Sequence, residues 1–132
     1  MIERTRDVAL VNRLIGRDFE GGDFSEVMAE PLHVCLVDEE SGAVFMWRGP
    51  GIYEAHLFFA VRGREALALI RSMLDIMRET HGGQLFWSLI PTESVKVKAF
   101  ARLLGWVSLG VRETRYGPQE LYVSERNLCL QS

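Results

Sequence analysis

Glu54 and His56 stand two positions apart in Ile52-Tyr53-Glu54-Ala55-His56-Leu57-Phe58-Phe59-Ala60-Val61, a stretch whose other residues are apolar or aromatic. Alternation along a strand puts both side chains on one face. Burial and mutual interaction can tune a carboxylate and an imidazole in contact towards proton transfer near neutral pH. The plainer reading is a polar pair that satisfies itself at a sheet surface, with Tyr53 turned away into the core. Immediately downstream, Arg62-Gly63-Arg64 leads into Glu65-Ala66-Leu67 and a helical pattern. A glycine lets the backbone turn tightly, the first helical N–H groups are left unpaired, and two guanidinium groups flank them. These are the ingredients of an anion site, and equally of a plain turn carrying two solvated charges.

The remaining nucleophiles and metal-binding types are placed less tellingly. His33 opens a strand pattern and His81 closes a helical one, where the dipole favours a cation; both read as structural. Neither has a second ligand at metal spacing, so no metal is expected. Cys35 and Cys129 are also at no metal spacing and read as reduced thiols of a cytoplasmic protein. Cys35 shares a face with His33, but a nucleophilic thiol would also need exposure and an orienting group.

The elements that must position these residues follow from periodicity. Val8, Val11, Leu14 and Ile15 repeat at helical spacing across residues 6–15, ended by Gly16. A turn at Gly21-Gly22-Asp23 and a short helix-prone piece, Ser25 to Glu30, lead to Pro31. Residues 33–37 and 43–47 then read as two strands joined by Glu39-Glu40-Ser41-Gly42, an antiparallel hairpin. Gly49-Pro50-Gly51 reverses the chain into a strand over 52–61, apolar on both faces and so central in its sheet. Residues 64–81 form the clearest helix, with Ala66, Leu67, Ile70, Met73, Leu74 and Met77 in one stripe and Gly82-Gly83 as terminator. Leu85 to Ile90 is a buried strand stopped by Pro91. Two strands joined through one helix run parallel. A second helix capped by Thr92 or Ser94 is expected to bury Val97, Phe100, Leu103 and Leu104. Residues 106–114 and 120–124 make a last hairpin turned at Tyr116-Gly117-Pro118, with Asn127 to Ser132 a tail. The expected fold class is therefore α/β, a mixed sheet with antiparallel hairpins flanking a parallel β-α-β crossover.

Composition bounds the function. A chain of 132 residues fits one domain spanning 1–132 and can bury a core without disulfides or a metal. Its 15 basic and 18 acidic residues are interspersed, giving a net charge of −3 and no basic block for phosphates, which disfavours nucleic acid as a partner. Glu3, Arg4, Arg6 and Asp7 near the start are unlike a signal peptide, and no apolar run approaches a bilayer span. Neither membrane nor secretion is expected.

The order of elements from His33 to Ser124 resembles the GNAT N-acyltransferase superfamily. In that family the central strand runs into an Arg-Gly-rich loop whose amides hold the coenzyme A diphosphate, and Arg62-Gly63-Arg64 is similar to its opening. Ile90-Pro91-Thr92-Glu93-Ser94 followed by Ala99-Phe100-Ala101-Arg102-Leu103-Leu104-Gly105-Trp106 is similar to the second signature, which ends in a leucine-glycine-aromatic triplet. The resemblance implies an acyl-CoA-dependent N-acyltransferase, acetyl-CoA as cosubstrate and an amine as acceptor. It implies coenzyme contacts at Val61, Arg62, Gly63, Arg64, Ala66 and Ser94, and Glu54, with His56, as general base. It makes Tyr116 and Tyr122, on the final hairpin, candidate proton donors, while Trp47, beside Arg48 at a strand end, is placed to line an acceptor pocket. A second copy of the chain, in a homodimer, is a further expected partner. Glu65 and Leu67 stand where the family loop has small residues, and Ala101 where many members carry the tyrosine that protonates the leaving thiolate. These departures favour, as the alternative, a GNAT-like module that binds or assembles without catalysis. Compact relatives occur in phage-derived genes, which leaves a phage-like origin open.

Overall fold

The computed structural model describes residues 1–15 and 24–124. Gly16, the Gly21-Gly22-Asp23 turn, Cys129 and the tail from Asn127 lie outside the described residues. In chain order the elements are β1 (Glu3–Thr5), α1 (Val8–Ile15), α2 (Ser25–Ala29), β2 (Val34–Asp38), β3 (Ser41–Gly49), β4 (Ile52–Phe58), α3 (Gly63–His81), β5 (Leu85–Pro91), α4 (Val95–Leu103), β6 (Trp106–Thr114) and β7 (Gly117–Ser124). The strands form one sheet in the order β1-β2-β3-β4-β5-β7-β6, parallel between β4 and β5 and antiparallel elsewhere. The expected crossover through a single helix is present.

Besides β3 and β7, which begin inside the expected turns at Ser41 and Gly117, three elements differ from the sequence reading. β1 has no apolar alternation to announce it. It is held by pairing Glu3↔Val37 to Thr5↔Cys35, while Arg4 and Arg6 donate to the carbonyls of Pro31, His33, Met28 and Glu30. β4 stops at Phe58 instead of running on to Val61, because the amides of Ala60 and Val61 turn to the hydroxyl of Ser41, at 2.9 and 3.4 Å. α4 buries Ala101, with Phe100 and Leu104 half-buried, whereas Val97 and Leu103 are 52% and 66% exposed. The helix lies over the place where two strands part, so only a narrow stripe meets packed side chains.

α3 behaves as its stripe predicts: Ala66, Ile70, Met73, Leu74 and Met77 are buried, and only Leu67 is half-buried. Gly82 takes φ +68°, and the Gly83 N–H then reaches the carbonyl of Met77 at 2.9 Å, closing the helix. Against this helix lies the larger core, with Phe45, Tyr53, Phe86 and Tyr122 at its centre. A smaller core of Val11, Phe24, Met28, Cys35, Val37 and Val44 packs α1 and α2 on the opposite face. β4 thus turns Tyr53 and Ala55 to the larger core and Phe58 to the smaller one.

Phe86 joins the layers. It is fully buried, edge-on to Phe45 at 5.8 Å and stacked on Tyr53 at 6.1 Å. Phe86→Ala is expected to destabilise the fold by about 3–5 kcal/mol, from lost transfer energy plus the cavity left behind. Urea unfolding followed by far-UV circular dichroism measures this, and a loss under about 1 kcal/mol would contradict the packing described.

Candidate functional site

The site begins where the two parallel strands separate. β4 and β5 pair only at Ile52↔Leu85, Tyr53↔Phe86 and Glu54↔Trp87. Beyond that point β4 stays bonded to β3 as far as Gly42↔Phe58, and β5 to β7 as far as Pro91↔Gln119. Each strand follows its antiparallel neighbour, and a gap opens between them. Ser88 enters it and donates its hydroxyl to the carbonyl of Ala55 at 3.0 Å. The resulting cleft, about 210 Å3, is walled by Ala55, His56 and Leu57 on one side and Ser88, Leu89 and Ile90 on the other, with Phe100, Ala101 and Leu104 of α4 over it.

Leu57, Val97 and Phe100 also wall an adjoining groove of about 370 Å3, which runs to Arg62, Gly63 and Ala66 at the start of α3. Arg62 is extended (φ −134°, ψ 169°), Gly63 takes φ +61°, and no side chain caps the first turn. Unpaired N–H groups therefore open at the groove's end, with Arg62 beside them. Lys96 of α4 lines the same groove from across it. Glu65 instead borders a separate hollow with Met1, Asp38 and Ser41. The carboxylate that departs from the family loop is directed away from this groove. Val61 lies between the two hollows. Arg64 is exposed, and Ser94 is half-buried at the N-terminus of α4 without a capping hydrogen bond; neither lines the groove.

Glu54 and His56 share a face, as alternation requires. His56 Nε2 lies 2.5 Å from Glu54 Oε2, while Glu54 Oε1 accepts two bonds from Arg48, from Nε at 3.0 Å and Nη2 at 2.8 Å. The Glu54 side chain is only 13% exposed and that of His56 44%. Burial by itself would raise the Glu54 carboxyl, but the hydrogen bond and charge of His56 and the Arg48 guanidinium outweigh it, so the group lies below the ordinary carboxylate value. Glu54 is thus an engaged carboxylate with both oxygens occupied. His56 forms the outer end of the chain Arg48–Glu54–His56 and borders both the cleft and a larger hollow, about 510 Å3, on the α1–α2 face.

The other candidates separate clearly. His33 is buried and its Nδ1 accepts the N–H of Trp47 at 2.9 Å, a structural role that burial supports by lowering its pKa. His81 sits at the C-terminus of α3, its pKa lowered by burial, and its carbonyl accepts from Tyr53 at 3.3 Å. Cys35 is buried and its thiol is pushed up to about 12 by desolvation, so it is inert at neutral pH. Trp47 packs against the larger core and lines no hollow described here, contrary to the expectation of an acceptor pocket. Tyr122 is also withdrawn: it is fully buried, its hydroxyl accepts from Arg102 at 2.9 Å, and burial and then Glu120 raise its phenol. Tyr116 is 65% exposed at the β6–β7 turn, beneath the guanidinium of Arg115. Ala101 contributes to the cleft wall, and no tyrosine does among the described residues. Among the described residues no three His, Cys, Asp or Glu could hold a metal, and no helix is long and apolar enough to cross a membrane.

Arg48, Lys96, Ser88 and Ser41 were not singled out from sequence. The role of Arg48 was readable in principle, since the tight Gly49-Pro50-Gly51 turn sets Met46 opposite Glu54 and brings Arg48 beside it. Lys96, Ser88 and Ser41 meet their partners only through long-range packing.

No family model and no curated protein matches the chain. Solved structures do. A mutant of the spermidine N-acetyltransferase SpeG from Vibrio cholerae superposes with a TM-score of 0.75 at 14% identity, covering 100% of this chain and 99% of that one. A chimera of the Vibrio cholerae enzyme and hSSAT gives 0.77 at 12% identity, over 100% and 98%. A dodecameric structure of the Vibrio cholerae spermidine N-acetyltransferase gives 0.70 at 13%, over 93% and 91%. The chain has the GNAT fold. At these identities the likeness is one of architecture, and nothing in it supports the phage-like origin.

In this GNAT fold the charge pair carries a pH signature. A folded-state Glu54 pKa below the ordinary 4.5 means that the unfolded chain binds more protons as the solution is acidified. Its stabilising contribution is complete above about pH 4.5 and is lost as pH falls through the folded value. The difference in urea midpoint between wild type and Glu54→Gln should therefore shrink below about pH 4.5. His33 and His81, present in both proteins, cancel from that difference. A gap that stays constant down to about pH 3 would contradict the assignment.

Proposed function

We propose that this GNAT-fold chain is an acyl-CoA-dependent N-acyltransferase of the cytoplasm, with acetyl as the expected acyl group. The observation that carries the reading is the continuity of the uncapped start of α3, the groove beside it and the cleft where β4 and β5 part. Amides following Arg62, with the Arg62 and Lys96 side chains, suit a diphosphate at one end. Leu57, Val97 and Phe100 suit a thin, largely apolar arm between the anion site and the cleft. The carbonyl of Ala55 points into the cleft, where Ser88 meets it, so alternation places the N–H of Leu57 on the same edge. That amide is a fixed donor for a carbonyl oxygen gaining negative charge.

The thioester supplies an activated acyl carbon, which the acceptor nitrogen attacks as the C–S bond breaks. His56 takes the proton from that nitrogen. With its Nε2 engaged by Glu54, His56 has Nδ1 as the ring nitrogen left to take the proton. Glu54 then orients the imidazole instead of serving as the base itself, and Arg48 holds Glu54. With no phenol in the cleft wall, the leaving thiolate takes its proton from solvent. The alternative of a non-catalytic module drew on Glu65, which faces elsewhere, on Leu67, which is half-buried in the stripe of α3, and on Ala101, whose absent hydroxyl this route does not use.

Acetyl-CoA at 100 times its Kd should stabilise the protein by about 2.7 kcal/mol, read as a rise in Tm. A Cβ on Gly63 meets no atom within 4 Å, and Asn and Asp tolerate its φ of +61° best. Gly63→Asn should therefore retain most of the shift, while Gly63→Asp, placing a carboxylate at the anion site, abolishes it. An unchanged Tm in wild type would end the coenzyme reading.

Turnover separates the roles of the pair. His56→Ala should lose about 10²–10⁴-fold in kcat with little change in KM for acetyl-CoA, and Glu54→Gln should lose less. The reverse order would make Glu54 the base.

A further inference from the structure

The cleft between β4 and β5 extends beneath α4. Its inner walls there are Ile70 of α3, Ile90 of β5, Ala101 of α4 and Trp106 of β6, each at most 8% exposed, with Leu104 beside them. Every lining residue belongs to β4, α3, β5, β6 or the α4 helix with its C-cap Leu104, all described along their whole length.

The cleft holds about 210 Å3. One water molecule takes about 30 Å3 of the liquid, and a methylene is of similar size. The sulfur, carbonyl and methyl of an acetyl thioester would fill roughly half of the cleft and leave space for roughly three further carbons. The two faces of β4 decide which reactant extends into that space. Tyr53 and Ala55 turn to the α3 side, so alternation sends His56 to the other. An amine whose proton goes to His56 therefore stands on the far side of the gap. The α3–α4 side is left to the thioester, whose arm arrives past Leu57, Val97 and Phe100. Ala101 limits the depth, because a longer side chain at this buried wall position would occupy the same space.

We infer that this end of the cleft is an acyl-chain site: besides acetyl it takes unbranched alkyl acyl groups of up to about five carbons, and Ala101 sets the limit. The inference rests on the transferase reading for the presence of a coenzyme thioester, but acyl length can be tested by binding alone.

Calorimetric titration of the full chain with acetyl-, propionyl-, butyryl- and pentanoyl-CoA, without an acceptor, should show affinity rising about fourfold per methylene. Octanoyl-CoA should bind no tighter than pentanoyl-CoA. In Ala101→Leu the ratio of butyryl-CoA to acetyl-CoA affinity should fall from about fifteen to about one. If Ala101→Leu does not fold, the Ile70 and Ile90 methyl resonances of the wild type decide, and they should move further with butyryl-CoA than with acetyl-CoA. Equal affinity for acetyl-CoA and butyryl-CoA overturns the inference and leaves the transferase reading standing. So does a ratio that Ala101→Leu leaves unchanged, or tightening that continues to octanoyl-CoA. Tightening as expected with no acyl transfer to an amine keeps the acyl-chain site and removes the transferase reading. No binding of these thioesters or of coenzyme A itself removes both.

Discussion

The structure turns on the limited pairing of β4 with β5. A strand has two hydrogen-bonding edges, and both strands have committed their outer edges along most of their length, β4 to β3 and β5 to β7. Those antiparallel partners diverge, and the parallel ladder between β4 and β5 ends after Glu54↔Trp87. Polar backbone groups left in a half-buried gap need partners. Ser88 supplies one to Ala55. The same divergence thins the packing under α4, which explains why its Val97 lines a groove instead of a core.

From that gap the two ends of the site acquire different electrostatic character. At the start of α3 positive charge accumulates through uncapped amides, Arg62 and Lys96, while Glu65 is directed elsewhere. At the opposite face, among the described residues, Arg48 pairs with Glu54 and Arg13 with Glu40. Burial strengthens the Arg48–Glu54–His56 chain because the carboxylate is largely shielded from water, while His56 keeps an exposed edge.

Most elements were legible because their signals are local. The α3 stripe, the two hairpins and the central place of β4 follow from patterns within a few residues, although β3 and β7 begin inside the expected turns. β1 was not legible: three residues with two charges have no strand signature, and their pairing depends on arginine contacts more than twenty residues away in the chain. The early end of β4 and the exposed side of α4 were missed for the same reason, since Ser41 and the strand gap reach them through the fold.

For the site, the sequence alone determined that Glu54 and His56 share a face and that Arg62-Gly63-Arg64 opens a helix, because both follow from backbone geometry over a few residues. Only the tertiary structure decided that Arg48 occupies the second oxygen of Glu54, that Tyr122 is sealed in the core, and that Lys96 lines the groove while Glu65 borders a separate hollow. Side-chain charge acts through space over several ångströms, and chain order does not record which charges the fold brings within that range.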